Sequence, residues 1–208
     1  MTAGLRRFRT PADRPPVGEH CDMCAEPIGS EHSHVVDTQS RALECTCRGC
    51  YLLFTQPGAA GGRHRAVPDR YRHSPSFASG AALFDAIGIP VRMAFFLTSS
   101  AVERTVAFYP SPAGATESQL STEAWRTALA DNPAFGDIAV DTEALLVNRA
   151  PGGFECFLVP IDACYRLVGL VRLHWKGFDG GSEAWRAIDG YFDELRNRSE
   201  RVGGEDHG

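Results

Sequence analysis

Apolar and polar positions divide the chain into two unlike parts. Residues 1–19 hold few apolar anchors among arginines and prolines, which predicts a flexible arm. Short alternating runs follow within residues 20–56. Residues 57–76, opening on Pro57-Gly58-Ala59-Ala60-Gly61-Gly62, read as a linker with a locally basic stretch. From Phe77 the pattern alternates between strand and helix periods. Apolar residues at 83, 84 and 87 predict a short helix that ends at Gly88 and Pro90. Residues 91–98 and 104–109 read as strands joined through 99–103 into an antiparallel hairpin, closed by Pro110-Ser111-Pro112-Ala113-Gly114. Ser121 is an N-cap candidate, with Trp125, Ala128 and Leu129 on one helical face up to Asn132-Pro133.

Three apolar runs come next, at 144–148, 154–159 and 165–175. All three are expected to be strands, although Cys164, Leu167, Val168 and Val171 in and beside the third also fit helical spacing. A last helix opens at Ser182 and aligns Trp185, Ile188, Phe192 and Leu195. The tail from 197 to 208 is charged and glycine-rich, and is expected to be disordered. Glu123-Ala124-Trp125-Arg126 recurs as Glu183-Ala184-Trp185-Arg186, which fits either a duplicated strand-strand-helix unit or two similar helix starts. The expected fold is α+β: a treble-clef or zinc-ribbon-like module over 20–56, then an antiparallel-sheet domain over 77–196 with about five strands and two to three helices.

The first part carries the chemistry. Five of the seven cysteines fall between positions 21 and 50. Cys21-Asp22-Met23-Cys24 and Cys47-Arg48-Gly49-Cys50 are two C-x-x-C pairs separated by 22 residues. Each pair folds readily round one ion, and four thiolates match the tetrahedral preference of zinc. Cys21, Cys24, Cys47 and Cys50 are therefore the expected ligands of one structural Zn2+. Residues 34–37 and 41–45 suit a hairpin, and Tyr51-Leu52-Leu53-Phe54 suits a short helix with Cys50 in its first turn, where the dipole favours a thiolate. Cys45 in place of Cys47, or His34 as a ligand, are alternatives. Iron in a rubredoxin-like tetrathiolate is the competing metal and would make the protein an electron carrier. Rubredoxin knuckles place Gly after the second cysteine, whereas Ala25 and Tyr51 stand there, which favours zinc.

Charge and composition narrow the partners. Residues 1–75 carry 10 Arg against 8 Asp and Glu, while 76–208 carry 11 Lys and Arg against 18 Asp and Glu. With a net charge of −5, polyanion binding by the whole chain is disfavoured, so nucleic acid is an unlikely partner and a zinc-ribbon regulator only an alternative. No signal peptide is read at the N-terminus, and no run of about 18 apolar residues spans a membrane. The cysteine clustering fits a reducing, cytoplasmic setting. No nucleophile elbow, phosphate loop or other catalytic constellation stands out, so a non-enzymatic role is expected.

Several longer motifs add a resemblance. Cys21-x-x-Cys24 with Pro27-Ile28, Cys45-x-Cys47-x-x-Cys50, Val67-Pro68-Asp69-Arg70, the run from Ala107 to Ser118, Glu143-Ala144-Leu145-Leu146-Val147-Asn148-Arg149 and the run from Val159 to Leu170 together resemble an uncharacterised actinobacterial family. Its genes tend to lie beside those of nickel-iron hydrogenases and their maturation factors. Lys176 as the sole lysine agrees with a high-GC source. The resemblance implies an accessory role in hydrogenase biogenesis, with a hydrogenase subunit or maturation factor as partner, and assigns no catalytic residue.

Overall fold

The structure, a computed structural model, describes residues 18–88 and 92–203. The arm expected over 1–19, apart from its last two residues, lies outside them, as do Pro90, Val91 and 204–208.

The cysteine-rich part begins with a tight turn. Ala25 donates its N–H to the Cys21 carbonyl (2.8 Å) with Ala25 at φ 61°, and Asp22 N donates to the Cys45 carbonyl (2.8 Å), fastening the turn to the strand that follows. Strands β1 (Ser33–Asp37) and β2 (Ala42–Thr46) form the expected hairpin, and helix α1 (Arg48–Leu52) follows with Cys47 as its N-cap. Residues 57–76 differ from the expected linker. They supply β3 (His64–Ala66), which pairs with β1 to complete a sheet of order β2-β1-β3, and β4 (Arg72–Ser74), which enters the larger sheet.

The remaining elements are α2 (Gly80–Ile87), β5 (Met93–Ser99), β6 (Arg104–Ser111), β7 (Gly114–Ser118), α3 (Thr122–Ala130), β8 (Glu143–Ala150), β9 (Gly153–Pro160), α4 (Ile161–His174), α5 (Gly181–Arg198) and β10 (Glu200–Arg201). The large sheet has seven strands in the order β10-β4-β9-β8-β5-β6-β7, more than the five expected. All neighbours are antiparallel except the β10–β4 pair. The tail is ordered further than expected: α5 continues to Arg198 and β10 lies beside β4.

Helices cover both faces of this sheet. Ala144 and Leu146 of β8, with Phe157 and Val159 of β9, pack against α4 and α5; Leu145 and Val147, with Cys156 and Leu158, pack with α2 and α3. Burial on both faces explains why the central strands are continuous apolar runs rather than alternating ones. The run 165–175, expected as a strand, instead continues α4 up to His174, and the helix's buried Ile161, Cys164, Leu167, Val168 and Val171 recur at helical steps. Because α5 follows a helix, the Glu-Ala-Trp-Arg echo marks two helix starts and no duplicated unit. The cysteine-rich part sits on the α4/α5 side, where Val36 and Val67 belong to the same buried cluster as Leu167 and Tyr191.

Candidate metal centre

Cys21, Cys24, Cys47 and Cys50 come together, with all four sulfurs within 4.8 Å of one another. The tight turn presents Cys21 and Cys24. Cys47 caps α1, its Sγ accepting from Cys50 N at 3.5 Å, which puts Cys50 in the first turn. Cys24 Sγ and Cys47 Sγ stand 3.7 Å apart. That is far beyond a disulfide bond of about 2.05 Å. It agrees with the edge of a tetrahedron of sulfurs about 2.3 Å from a central ion, an edge of about 3.8 Å. All seven cysteines are free thiols.

Proton affinities within the cluster are split. Burial raises the Cys21 thiol, but backbone amide hydrogen bonds around Cys47, Cys24 and Met23 outweigh it and bring the pKa down to about 6. Cys50 is pushed up to about 12, chiefly by the neighbouring Cys24 thiol, then by burial and by Cys21 and Cys47. The Cys21 thiolate forms readily there, and Cys50 then resists ionisation. A cation at the centre removes that conflict, since metal binding displaces the thiol protons. The four cysteines could hold a metal ion.

The alternative ligands group elsewhere. Cys45 and His34 lie with His32 in a second cluster, in which the sulfur and one nitrogen of each ring are again within 4.8 Å of one another. Cys156 and Cys164 are wholly buried in the two core clusters, and burial raises both thiols.

The basic segment is not a free cationic surface. Arg63 pairs with Asp37 (2.6 Å), Arg65 with Asp141 (3.1 Å), and Arg72 with Asp137 (2.9 Å). Arg70 bonds the buried Glu143 through two nitrogens (2.8 and 2.5 Å) and reaches Asp137 at 2.6 Å. The sequence showed the charge run but not its partners, which lie 26 to 76 residues away along the chain. The pairing of His34 with Asp162 leaves no local trace in the sequence, because the two residues are 128 positions apart. The structure places His34 Nδ1 2.8 Å from Asp162 Oδ2, at the wall of a cleft of about 760 Å³ between the cysteine-rich part and α4 and α5.

No helix among the described residues is long and apolar enough to cross a membrane. The fold and the cluster define an α+β protein with antiparallel sheets and a four-cysteine site able to hold a metal ion near its N-terminus. The chain belongs to the family of unknown function DUF5947, whose profile matches residues 20–199. No curated protein and no solved structure matches it.

Proposed function

We propose that Cys21, Cys24, Cys47 and Cys50 hold one structural zinc ion in a treble-clef-like module, and that the protein is a cytoplasmic accessory factor in nickel-iron hydrogenase assembly. The observation that carries the metal reading is the grouping of four sulfurs within 4.8 Å of one another, with Cys24 and Cys47 at the 3.7 Å of a tetrahedral edge. Four thiolates close the coordination sphere, so the ion shapes a surface and takes no substrate. Zinc is preferred to iron because Ala25 and Tyr51 replace the glycines of rubredoxin knuckles. The hydrogenase context rests on the resemblance described above.

A protein partner suits the surface near the site. Leu52 and Leu53, two and three residues after the last ligand, are 51% and 66% exposed. Both are apolar side chains on a segment that the metal would hold in place. Pairing of Arg63, Arg65, Arg70 and Arg72 with carboxylates argues against a polyanion there.

Protein purified without added metal should carry zinc, with no thiolate-to-iron absorption in the visible range, and Cys50→Ser should abolish binding at this site. A red protein would establish the rubredoxin-like alternative instead. Deleting the gene should lower hydrogenase activity while leaving the hydrogenase polypeptides present. Tagged protein should capture a hydrogenase subunit or maturation factor, and Leu52→Ser with Leu53→Ser should weaken that capture. Full activity in the deletion strain with no such capture would remove the accessory role while leaving the zinc reading intact.

A further inference from the structure

Three metal-ligating side chains beside the four-cysteine cluster are not used by it. His34 and Cys45 are direct partners across the β1/β2 ladder, so their side chains leave the same face of the hairpin. His32 lies two residues before His34, with ring centroids 4.7 Å apart. The Cys45 sulfur and one nitrogen of each imidazole lie within 4.8 Å of one another.

The hydrogen bonds of the two rings settle which nitrogen is available. His32 Nδ1 lies 2.9 Å from the Gly29 carbonyl, which only accepts, so Nδ1 carries the proton and the lone pair is on Nε2. His34 Nδ1 lies 2.8 Å from the Asp162 carboxylate, which imposes the same tautomer. An oxygen acceptor on the far nitrogen of each ring is the arrangement that orients histidines towards metals. His32 Nε2 is itself buried with no hydrogen-bond partner among the described residues, in a side chain only 8% exposed. A buried lone pair without a partner is unfavourable, and a cation would satisfy it.

We infer that His32 and His34, through Nε2, and Cys45, through its sulfur, form a second metal site, separate from the four-cysteine cluster, for a borderline divalent ion such as zinc. Two imidazoles and one thiolate match such an ion and exclude the hard cations calcium and magnesium. Three protein ligands leave a fourth position open to water or a small donor. His32 and His34 line the cleft described above, together with Arg48 and Tyr51, so a small ligand has a route to that position. Asp162 is a positioning residue that acts through His34.

Equilibrium dialysis of the full-length reduced protein against Co2+ tests the site. Wild type should take up two equivalents, and Cys45→Ala and His32→Gln one each, with unchanged circular dichroism. Azide should shift the visible cobalt bands of wild type but not those of Cys45→Ala, because the remaining site is closed. Asp162→Asn should weaken the second equivalent by about 10- to 100-fold and leave the first unchanged. One equivalent in wild type and one in both variants would overturn the second site and leave the four-cysteine reading standing. One in wild type and none in the variants would do the reverse. If Cys45→Ala does not fold, His32→Gln carries the decision, and two equivalents in that variant would overturn the inference.

Discussion

At the residue scale the seven thiols divide by surroundings. Two C-x-x-C pairs were legible in the sequence because each pair is local, and a tight turn and a helix start are sufficient to present it. The grouping of His32, His34 and Cys45 was not, because it depends on the register that sets His34 opposite Cys45 and on Asp162, 128 residues further along. Cys156 and Cys164 stand among apolar neighbours in the sequence, and both are wholly buried. Neither belongs to a group of metal-ligating side chains among the described residues, so neither has co-ligands with which to hold an ion. Cys156→Ala and Cys164→Ala should each keep the full metal content of wild type and lower stability by about 1 kcal/mol in chemical denaturation. Metal loss in either variant would mean the ligand set is wrongly drawn.

At the scale of elements, what was legible depended on length and on which faces are buried. Strands β5, β6, β8 and β9 and helices α2, α3 and α5 each carry a clear apolar pattern, whereas β4 and β10 are three and two residues long and offer no period to read. Helix α4 reads as a strand because Tyr165, Leu167, Val168, Leu170 and Val171 favour strands as readily as buried helices, and against them stand only the helical spacing of its apolar residues and Asp162 in its first turn. Two ion networks join these elements, and each makes a prediction. The Glu143 carboxylate is fully buried, held by Arg70 and by the Ala139 amide (2.8 Å). Arg70→Ala leaves that charge uncompensated and should cost about 3 kcal/mol or more, read from denaturant midpoints.

Glu155 on β9 accepts from Asn148 (2.8 Å) and Arg196 (2.7 and 3.0 Å) and meets His73 of β4 at 3.1 Å. Burial raises its carboxyl, but bonds from His73, Arg196 and Asn148 outweigh that and bring it from 4.5 down to about 2. A carboxyl lowered by folding stabilises the native state fully above its unfolded value. That contribution is lost as pH falls from about 4.5 towards 2. Melting temperature measured across this window should therefore fall more steeply in wild type than in Glu155→Gln. Parallel profiles would show that the network adds no pH-dependent stability.

On the scale of the whole molecule, the cysteine-rich part and the seven-stranded sheet share interior. Val36 and Val67 are buried with the α4/α5 cluster, Leu43 packs against it, and His34 bonds Asp162 in the first turn of α4. Arg65 and Arg70 add ties from the connecting segment to Asp141 and Glu143. Separate parts are what composition alone suggested, since interior contacts between distant segments leave no local signature. About forty residues contain too small a core to fold without metal. The large sheet, by contrast, keeps α2 and α3 on one face whatever happens on the other. Metal removal under reducing conditions should accordingly loosen the first part and the helix it covers while sparing the far face. Hydrogen exchange should show protection lost throughout β1, β2 and β3 and reduced at the start of α4, with β5, β8 and α3 unchanged. Uniform loss across β5, β8 and α3 would show that the metal supports the entire fold, and unchanged exchange in β1 to β3 would show that the small sheet stands without it.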